Sequence, residues 1–487
     1  MELATPVKII LTKSLETDTV PDAWKIGHIR AIHKKGRKSA CGNYRPISLT
    51  SISCKVFESI IRDNIMAHMT TNQLFTKQQF GFLPQQSTVL QLLNILDEWT
   101  DALDKGNNIE AIYMDIQKAF DTVPHKKLLH KLSCYGIKGN LLKWINSFLT
   151  NRYQYVEING RKSLPKPVTS GVPQGSVLGP LLFIIYMNDL PDQLNSKVYM
   201  FADDTKIFQI YDKSTNVIDD SIQEDLDKLQ HWSDNWLMKF HPEKCKQLHI
   251  KKTSNTTTLP CRHLYTNEGN GPRTEVNLPP TDHEKDLGVI FDNHLNFKLH
   301  INSIIQKASQ IMGLIRRNFI ELTPQTFKPL YVSLVRSRLE YGQSLWSPHT
   351  KAEILRLEGV QRNATRQVNG LKNHSYTERL KLLKLPTLQY RRRRGDMIEV
   401  YKHSHGLYDE NVQLCLPRAE DNRRGHRYKL YKRRTLALDV RKFNFVNRVI
   451  DDWNSLPPEV VEAKTLDSFK NRLDKHWKEE MYTLPSS

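Results

Sequence analysis

Tyr199-Met200-Phe201-Ala202-Asp203-Asp204-Thr205-Lys206-Ile207 sets two adjacent aspartates between short β-prone runs, Val198 to Ala202 and Thr205 to Ile210. Two such runs separated by two turn-forming residues predict a tight hairpin with Asp203-Asp204 at its tip and both carboxylates turned outward. Upstream, Ile109 to Met114 is another apolar, β-branched and aromatic run, and Asp115 stands where it leaves a central sheet. If the strands are neighbours, three carboxylates converge. Losing their hydration costs several kcal/mol unless a cation offsets it. Magnesium suits the part, since it takes oxygen ligands and shares them with phosphate. Taken singly the pieces are ordinary, because Asp-Asp is common turn chemistry and an Asp after a strand is often a cap.

The acidic residues stand in order among other motifs. These are Asn43-Tyr44-Arg45-Pro46-Ile47-Ser48-Leu49, Gln79-Phe80-Gly81-Phe82, the run from Tyr113 through Phe120-Asp121, Gly171-Val172-Pro173-Gln174-Gly175-Ser176, Phe201-Ala202-Asp203-Asp204 and Leu287-Gly288-Val289. In this set and order the sequence resembles a non-LTR retrotransposon reverse transcriptase, an RNA-directed DNA polymerase. Downstream, Arg338-Leu339-Glu340-Tyr341-Gly342 and Trp453-Asn454-Ser455-Leu456-Pro457 are similar to the jockey-like branch, so the resemblance spans nearly the whole chain. Two other readings stay open: a catalytically inactive RNA-binding relic, and a maturase-like or telomerase-like enzyme.

The resemblance implies residue roles. Asp115, Asp203 and Asp204 take the metal positions for two Mg2+ ions, with Mn2+ as a substitute, held roughly 3.5–4 Å apart so that a primer 3′-hydroxyl can attack the α-phosphate of a deoxynucleoside triphosphate. Phe120 lies under the incoming sugar and excludes a 2′-hydroxyl, although on its own it reads as a core phenylalanine opening a helix. Gln174 touches the nascent base pair and Gly175 lets backbone approach the nucleotide. From the basic cluster Arg30, Lys34, Lys35, Arg37, Lys38 and Arg45, Lys35 and Arg45 are chosen for the triphosphate. Lys244, at the turn after an amphipathic helix expected over 221–240, matches a lysine that protonates the leaving pyrophosphate. The segment Leu287 to Phe291 resembles the hairpin that grips the primer strand.

The expected architecture is α+β, a right-hand polymerase. Fingers occupy 1–108 with helices near 53–69 and 87–103. The palm, an antiparallel sheet backed by helices, covers 109–250. Residues 251–300 hold a polar loop or marginal hairpin at 253–280 and the primer-grip hairpin. A helical thumb follows at 301–375, with helices at 301–318, 324–341 and 351–369. Residues 376–487 form a basic C-terminal region.

At 487 residues with 39% hydrophobic side chains, the chain can bury ordinary cores. A net charge of +19 calls for a polyanionic partner. Residues 361–450 hold 22 Lys and Arg against 8 Asp and Glu, so +14 of that charge sits there. Arg391, Arg392, Arg393, Arg394, Arg423, Arg424, Arg433 and Arg434, interleaved with tyrosines, are the expected nucleic-acid contacts, with structured RNA as the target. An import signal or a solvated helix face is the plainer reading. Six scattered cysteines without Cys-x-x-Cys spacing argue against a disulfide framework and a zinc knuckle. No apolar run approaches the roughly 20 residues needed to cross a bilayer, and no signal peptide opens the chain. The expected partners are an RNA template, a DNA primer or target and deoxynucleoside triphosphates, in nucleus and cytoplasm. Autonomous elements of this kind usually carry an endonuclease ahead of the polymerase; none is recognised in the first 30 residues, so the chain is expected to be a truncated copy, a fragment, or a polymerase that depends on a separate endonuclease activity in trans.

Overall fold

The computed structural model describes residues 4–34, 36–212, 220–251, 260–266, 273–414, 416–419, 425–432 and 438–483. After helix Ala4–Glu16 (α1), strands Ile26–His33 (β1) and Tyr44–Leu49 (β2) pair antiparallel, with Ile32 opposite Arg45. β2 is the edge of its sheet, which is where Pro46 and its missing N–H are tolerated. Helices Ile52–Thr71 (α2) and Thr88–Asp104 (α3) fall within two residues of the expected spans, and Ser87 caps α3 by accepting from Leu90 N at 3.1 Å.

Asn108–Met114 (β3) is followed by a helical turn at Ala119–Thr122 and by helices His125–Cys134 (α4) and Gly139–Leu149 (α5). The next strand, Arg152–Ile158 (β4), leaves the palm. It runs parallel to β1, Ile26 opposite Tyr153, and pairs with Lys166–Val168, so residues 152–168 complete the fingers sheet although the sequence places them within 109–250. Helix Leu178–Met187 (α6) carries Pro180 inside its first turn, where no intrahelical donor is lost. The hairpin Lys197–Phe201 (β5) and Asp204–Tyr211 (β6), helix Ser221–Trp236 (α7) and strand Lys246–Ile250 (β7) complete the palm. α7 stops short of residue 240 because Leu237 turns left-handed at φ +58°.

The palm sheet runs Pro280–Thr281, β7, β3, β6, β5, and is antiparallel except at the Pro280–Thr281 edge. Strand alternation gives it two faces. Ile112, Met114, Ile207, Val198 and Met200 pack on one face into a cluster with side chains of α2 and α4 to α7. Ile109, Ala111 and Phe208 point the other way, and Trp99 of α3 lies edge-on to Phe208 at 5.5 Å. Full burial of each such side chain is worth about 1.5–3 kcal/mol.

Beyond the palm, strands 263–266 and 274–277 form the small hairpin expected near 253–280. Beside it Arg262, which the sequence reading passed over, is buried and grips Glu110 at 2.9 and 3.0 Å. The hairpin His283–Asp286 (β8) and Val289–Asp292 (β9) turns through Leu287 (φ +43°) and Gly288 (φ +97°). In the thumb, Lys298–Asn318 (α8) is as expected, but the single helix read over 324–341 is three pieces: Pro324–Leu330 (α9), a π-helical stretch Tyr331–Arg336, and Ser337–Glu340 (α10). Pro329 offers no N–H, and the ladder widens directly after it. Gln343–Trp346 (α11) and Lys351–Thr365 (α12) lead on to Leu388–Ser404 (α13), Phe445–Ser455 (α14) and Leu466–His476 (α15).

Thumb and C-terminal region share one apolar core that includes Met312, Tyr331, Leu357, Val400, Trp453 and Phe469, so the described residues of 376–483 are built onto the thumb rather than attached beside it. No helix among the described residues is long and apolar enough to cross a membrane.

Candidate active site

Register places the acidic residues. Met114 pairs with Thr205 and Phe201 with Asp204, so the hairpin turn consists of Ala202 and Asp203, one residue earlier than expected, and Asp204 opens β6 instead of sharing the tip. One step beyond the last β3–β6 pair, Asp115 comes level with Asp204. The electrostatics show the same meeting. Burial and the Asp115 charge push the Asp203 carboxyl up, while its own backbone hydrogen bond and the charges of Arg45 and Lys34 pull it back. Lost hydration, then Asp203, Asp286 and Asp115, push Asp204 up to about 6 against the pull of Lys206. The three carboxylates therefore lie at the same end of the palm sheet, near enough to act on one another.

The motif Gln79-Phe80-Gly81-Phe82, which carried no role in the sequence, splints this turn. Gln79 is 1% exposed, and its Oε1 accepts from Gly81 N at 2.7 Å and Ala202 N at 2.9 Å. Phe80 N donates to Met200 O and Met200 N to Gln78 O, both at 2.8 Å. A Cβ on Gly81 would stand 2.5 Å from Ala202 N, so only glycine lets the loop lie this close. These bonds offset the roughly 1–2 kcal/mol of holding Ala202 left-handed at φ +57°. Asp115 is fixed at its backbone: its N–H reaches Cys245 Sγ at 3.3 Å and its carbonyl accepts from His241 N at 2.8 Å. That turn brings Lys244 Nζ to 3.4 Å from Asp115 Oδ2, an exposed pair of small energetic weight.

The glycine loop is stitched to the segment after β3. Gly171 N donates to Val123 O and Val172 N to Phe120 O, both at 2.8 Å. Gln174 Nε2 donates to Asp121 Oδ1 at 3.0 Å, and Ser48 N of β2 donates to Gln174 O at 2.7 Å. Gly175 adopts φ +111°, and a Cβ there would lie 2.4 Å from Ser48 O. Burial raises the Asp121 carboxyl, while Gln174, Lys118 and Lys34 lower it. A cleft of about 360 Å³ opens between Ile29 of β1, Lys118, Asp121 and Gln174. Phe120 is half-buried, stacked on Phe183 of α6 at 4.3 Å and edge-on to Phe82 at 6.5 Å. The ring is thus anchored on one face by Phe183 and stays partly accessible.

Arg45 is exposed on β2 and acts on Asp203. Lys35 lies outside the described residues; its neighbour Lys34, named in the same basic cluster, acts on both Asp203 and Asp121. The arginine run is a correction. Arg391 binds Glu340 through two bonds of 2.7 Å, Arg393 binds Asp452 at 2.9 and 3.0 Å, and Arg394 binds Asp474 at 2.5 and 2.8 Å. Arg392 is 4% exposed, and burial pulls it down to about 10 despite Glu358 and Asp396. Helix α13 turns all four guanidinium groups toward neighbouring helices rather than toward a polyanion. Arg423, Arg424, Arg433 and Arg434 lie outside the described residues.

Among the described residues no three His, Cys, Asp or Glu side chains come close enough to enclose a metal ion by themselves. A mutually repelling carboxylate group short of a complete cage fits an ion whose remaining ligands are water and substrate phosphate.

Residues 32–289 match the family model "Reverse transcriptase (RNA-dependent DNA polymerase)". The chain is 30% identical over 398 residues to the RNA-directed DNA polymerase from mobile element jockey of Drosophila melanogaster, covering 78% of this chain and 42% of that protein. It is 29% identical to the probable RNA-directed DNA polymerase from transposon BS of the same organism, covering 75% and 41%. The chain thus spans less than half the length of these relatives. Among solved structures, apo telomerase from Candida tropicalis truncated from its C-terminal domain aligns with a TM-score of 0.39 at 12% identity, over 56% of this chain and 54% of that one. The chain belongs to the reverse transcriptase (RNA-dependent DNA polymerase) family, and its likeness is to the jockey-like branch to which its motifs pointed.

Proposed function

We propose that this chain extends a DNA primer 3′-hydroxyl with deoxynucleoside triphosphates on an RNA template. The observation that carries the reading is that Asp115, Asp203 and Asp204 act on one another beside a finger hairpin whose β2 carries Arg45 and whose β1 is followed by Lys34. Those two cations offset the triphosphate charge, Arg45 through its planar fork and Lys34 as a point charge. Asp115 and Asp203 hold the divalent cations, with Asp204 beside them. Two bound Mg2+, or Mn2+ in their place, supply charge stabilisation at the attacking and leaving oxygens. Gln174, oriented by Asp121, faces the nascent base pair. The Phe120 ring, backed by Phe183, cannot retreat from a ribose 2′-hydroxyl. Lys244, held near Asp115, hands a proton to the departing pyrophosphate.

The test is extension of an annealed DNA primer on an RNA template by the purified chain with magnesium. Incorporation is expected, and Asp203→Ala should lower it by at least about a hundredfold. Magnesium should also raise the Tm of the parent but barely that of Asp115→Asn. Equal extension by a folded Asp203→Ala protein rejects the assignment. Phe120→Ala should admit ribonucleotides; unchanged sugar selectivity removes the gate.

A further inference from the structure

Four residues of Arg338-Leu339-Glu340-Tyr341-Gly342 converge on one task. The Tyr341 hydroxyl donates to Leu287 O at 2.7 Å and lies 3.4 Å from Thr88 Oγ1 of α3. Its ring covers Gly288 so closely that a Cβ there would stand 2.9 Å from Tyr341 Cε1. Leu287 and Gly288 are the two left-handed residues of the β8–β9 turn, so Tyr341 clamps the turn itself. Its own backbone is anchored by the buried Trp346, whose Nε1 donates to Tyr341 O at 2.9 Å. Gly342, at φ +62° with Val289 Cγ2 3.2 Å from a would-be Cβ, lets the chain turn tightly against β9. Leu339 is buried in the thumb core, and Glu340 takes Arg391 of α13 through two 2.7 Å bonds, with Arg336 at 3.4 Å. From the palm side the same hairpin is held by the buried ion pair between Lys206 of β6 and Asp286 of β8. Lys206 lies two residues from Asp204 on the same strand face.

We propose that Tyr341 is a positioning residue for the primer terminus: it fixes the height of the Leu287-Gly288 turn above the carboxylates and, through Glu340 and Arg391, braces that turn against the C-terminal helices. The proposal rests on the polymerase reading above and on β8–β9 holding the primer strand. It gives the jockey-like motif a mechanical role and makes the first arginine of the 391–394 run part of that brace.

The experiment compares the full chain with Tyr341→Phe and Glu340→Gln, in primer extension and in hydrogen exchange of the backbone amides at 286–292. Removing the hydroxyl should raise the KM for annealed primer–template roughly two- to tenfold, the size of one lost hydrogen bond. The KM for deoxynucleotide should stay within about twofold, and exchange at 287–290 should quicken. Glu340→Gln, which does not touch the hairpin, should move both readouts in the same direction, a split that general loss of stability does not produce. An active parent whose Tyr341→Phe variant keeps its primer–template KM overturns the clamp alone. A parent that extends no primer overturns the polymerase reading beneath it, and unchanged exchange at 287–290 then removes the clamp as well.

Discussion

A single hydrogen at Gly175 decides whether the glycine loop can lie on β2. With φ at +111° and Ser48 O 2.4 Å from the place of a Cβ, Gly175→Ala must move backbone rather than a side chain. The expected cost is about 1–3 kcal/mol, read as a lower urea midpoint, with a raised KM for deoxynucleotide because Gln174 shifts with the loop. Asp204 shows the opposite balance. Its carboxyl sits at about 6 in the fold against an ordinary 3.8, so the ionised form is disfavoured there and the penalty is complete above that pH. Asp204→Asn should therefore raise the Tm of the metal-free protein at pH 7 and shrink the further rise that magnesium produces. A lower Tm in that variant would mean the carboxylate is held by partners that outweigh its neighbours' charge. Such stability lost at a site that needs charge is a familiar trade.

Among elements, the joint between α8 and β9 is sensitive to acid. His300 is 2% exposed and its Nδ1 accepts from Ile290 N at 3.2 Å, which requires a neutral ring. Burial, then Lys307 and Lys285, pull it down to about 4. The folded state thus binds its proton later than the unfolded chain, so stability is full above pH 6.5 and falls as pH drops through 6.5 toward 4. The loss attributable to this group is on the order of 3 kcal/mol. Urea melts at pH 7 and 4.5 should show it, and His300→Gln, which cannot titrate, should flatten that part of the slope. An identical slope in the variant would place the acid lability elsewhere.

On the scale of the whole molecule, charge that reads as a nucleic-acid surface is partly internal scaffolding. Arg441, 3% exposed, joins the C-terminal region to α3 through Asp97 and Asp101, and Arg393 and Arg394 tie α13 to α14 and α15. Arg394→Ala should lower stability by roughly 1–3 kcal/mol and leave the salt dependence of RNA affinity unchanged. If Arg394 instead met a phosphate, the slope of log affinity against log salt would shrink by about 0.7–0.9. Arg441→Ala should also cost roughly 1–3 kcal/mol, because it unpairs the partly exposed Asp97 and Asp101 and the buried Thr100 hydroxyl on α3.

Local pattern determined a great deal of this protein. The β-prone runs around Asp203-Asp204, the helix spans of α2, α3 and α8, and the order of the motifs all follow from residue type and spacing, because neighbours along the chain set turns and amphipathic periods. Other features belong to distant partners. β4 joined the fingers because its edge matched β1, and the hairpin tip moved to Ala202-Asp203 because Gln79 splints it there. Arg391, Arg393 and Arg394 were spent on carboxylates 51 to 87 positions away in the chain, which no charge count can see. Tyr341 shows the same limit, since its partner at Leu287 lies 54 residues upstream. Spacing fixes what a segment can do alone; which side chains neutralise, clamp or bury one another depends on surfaces that meet only after folding.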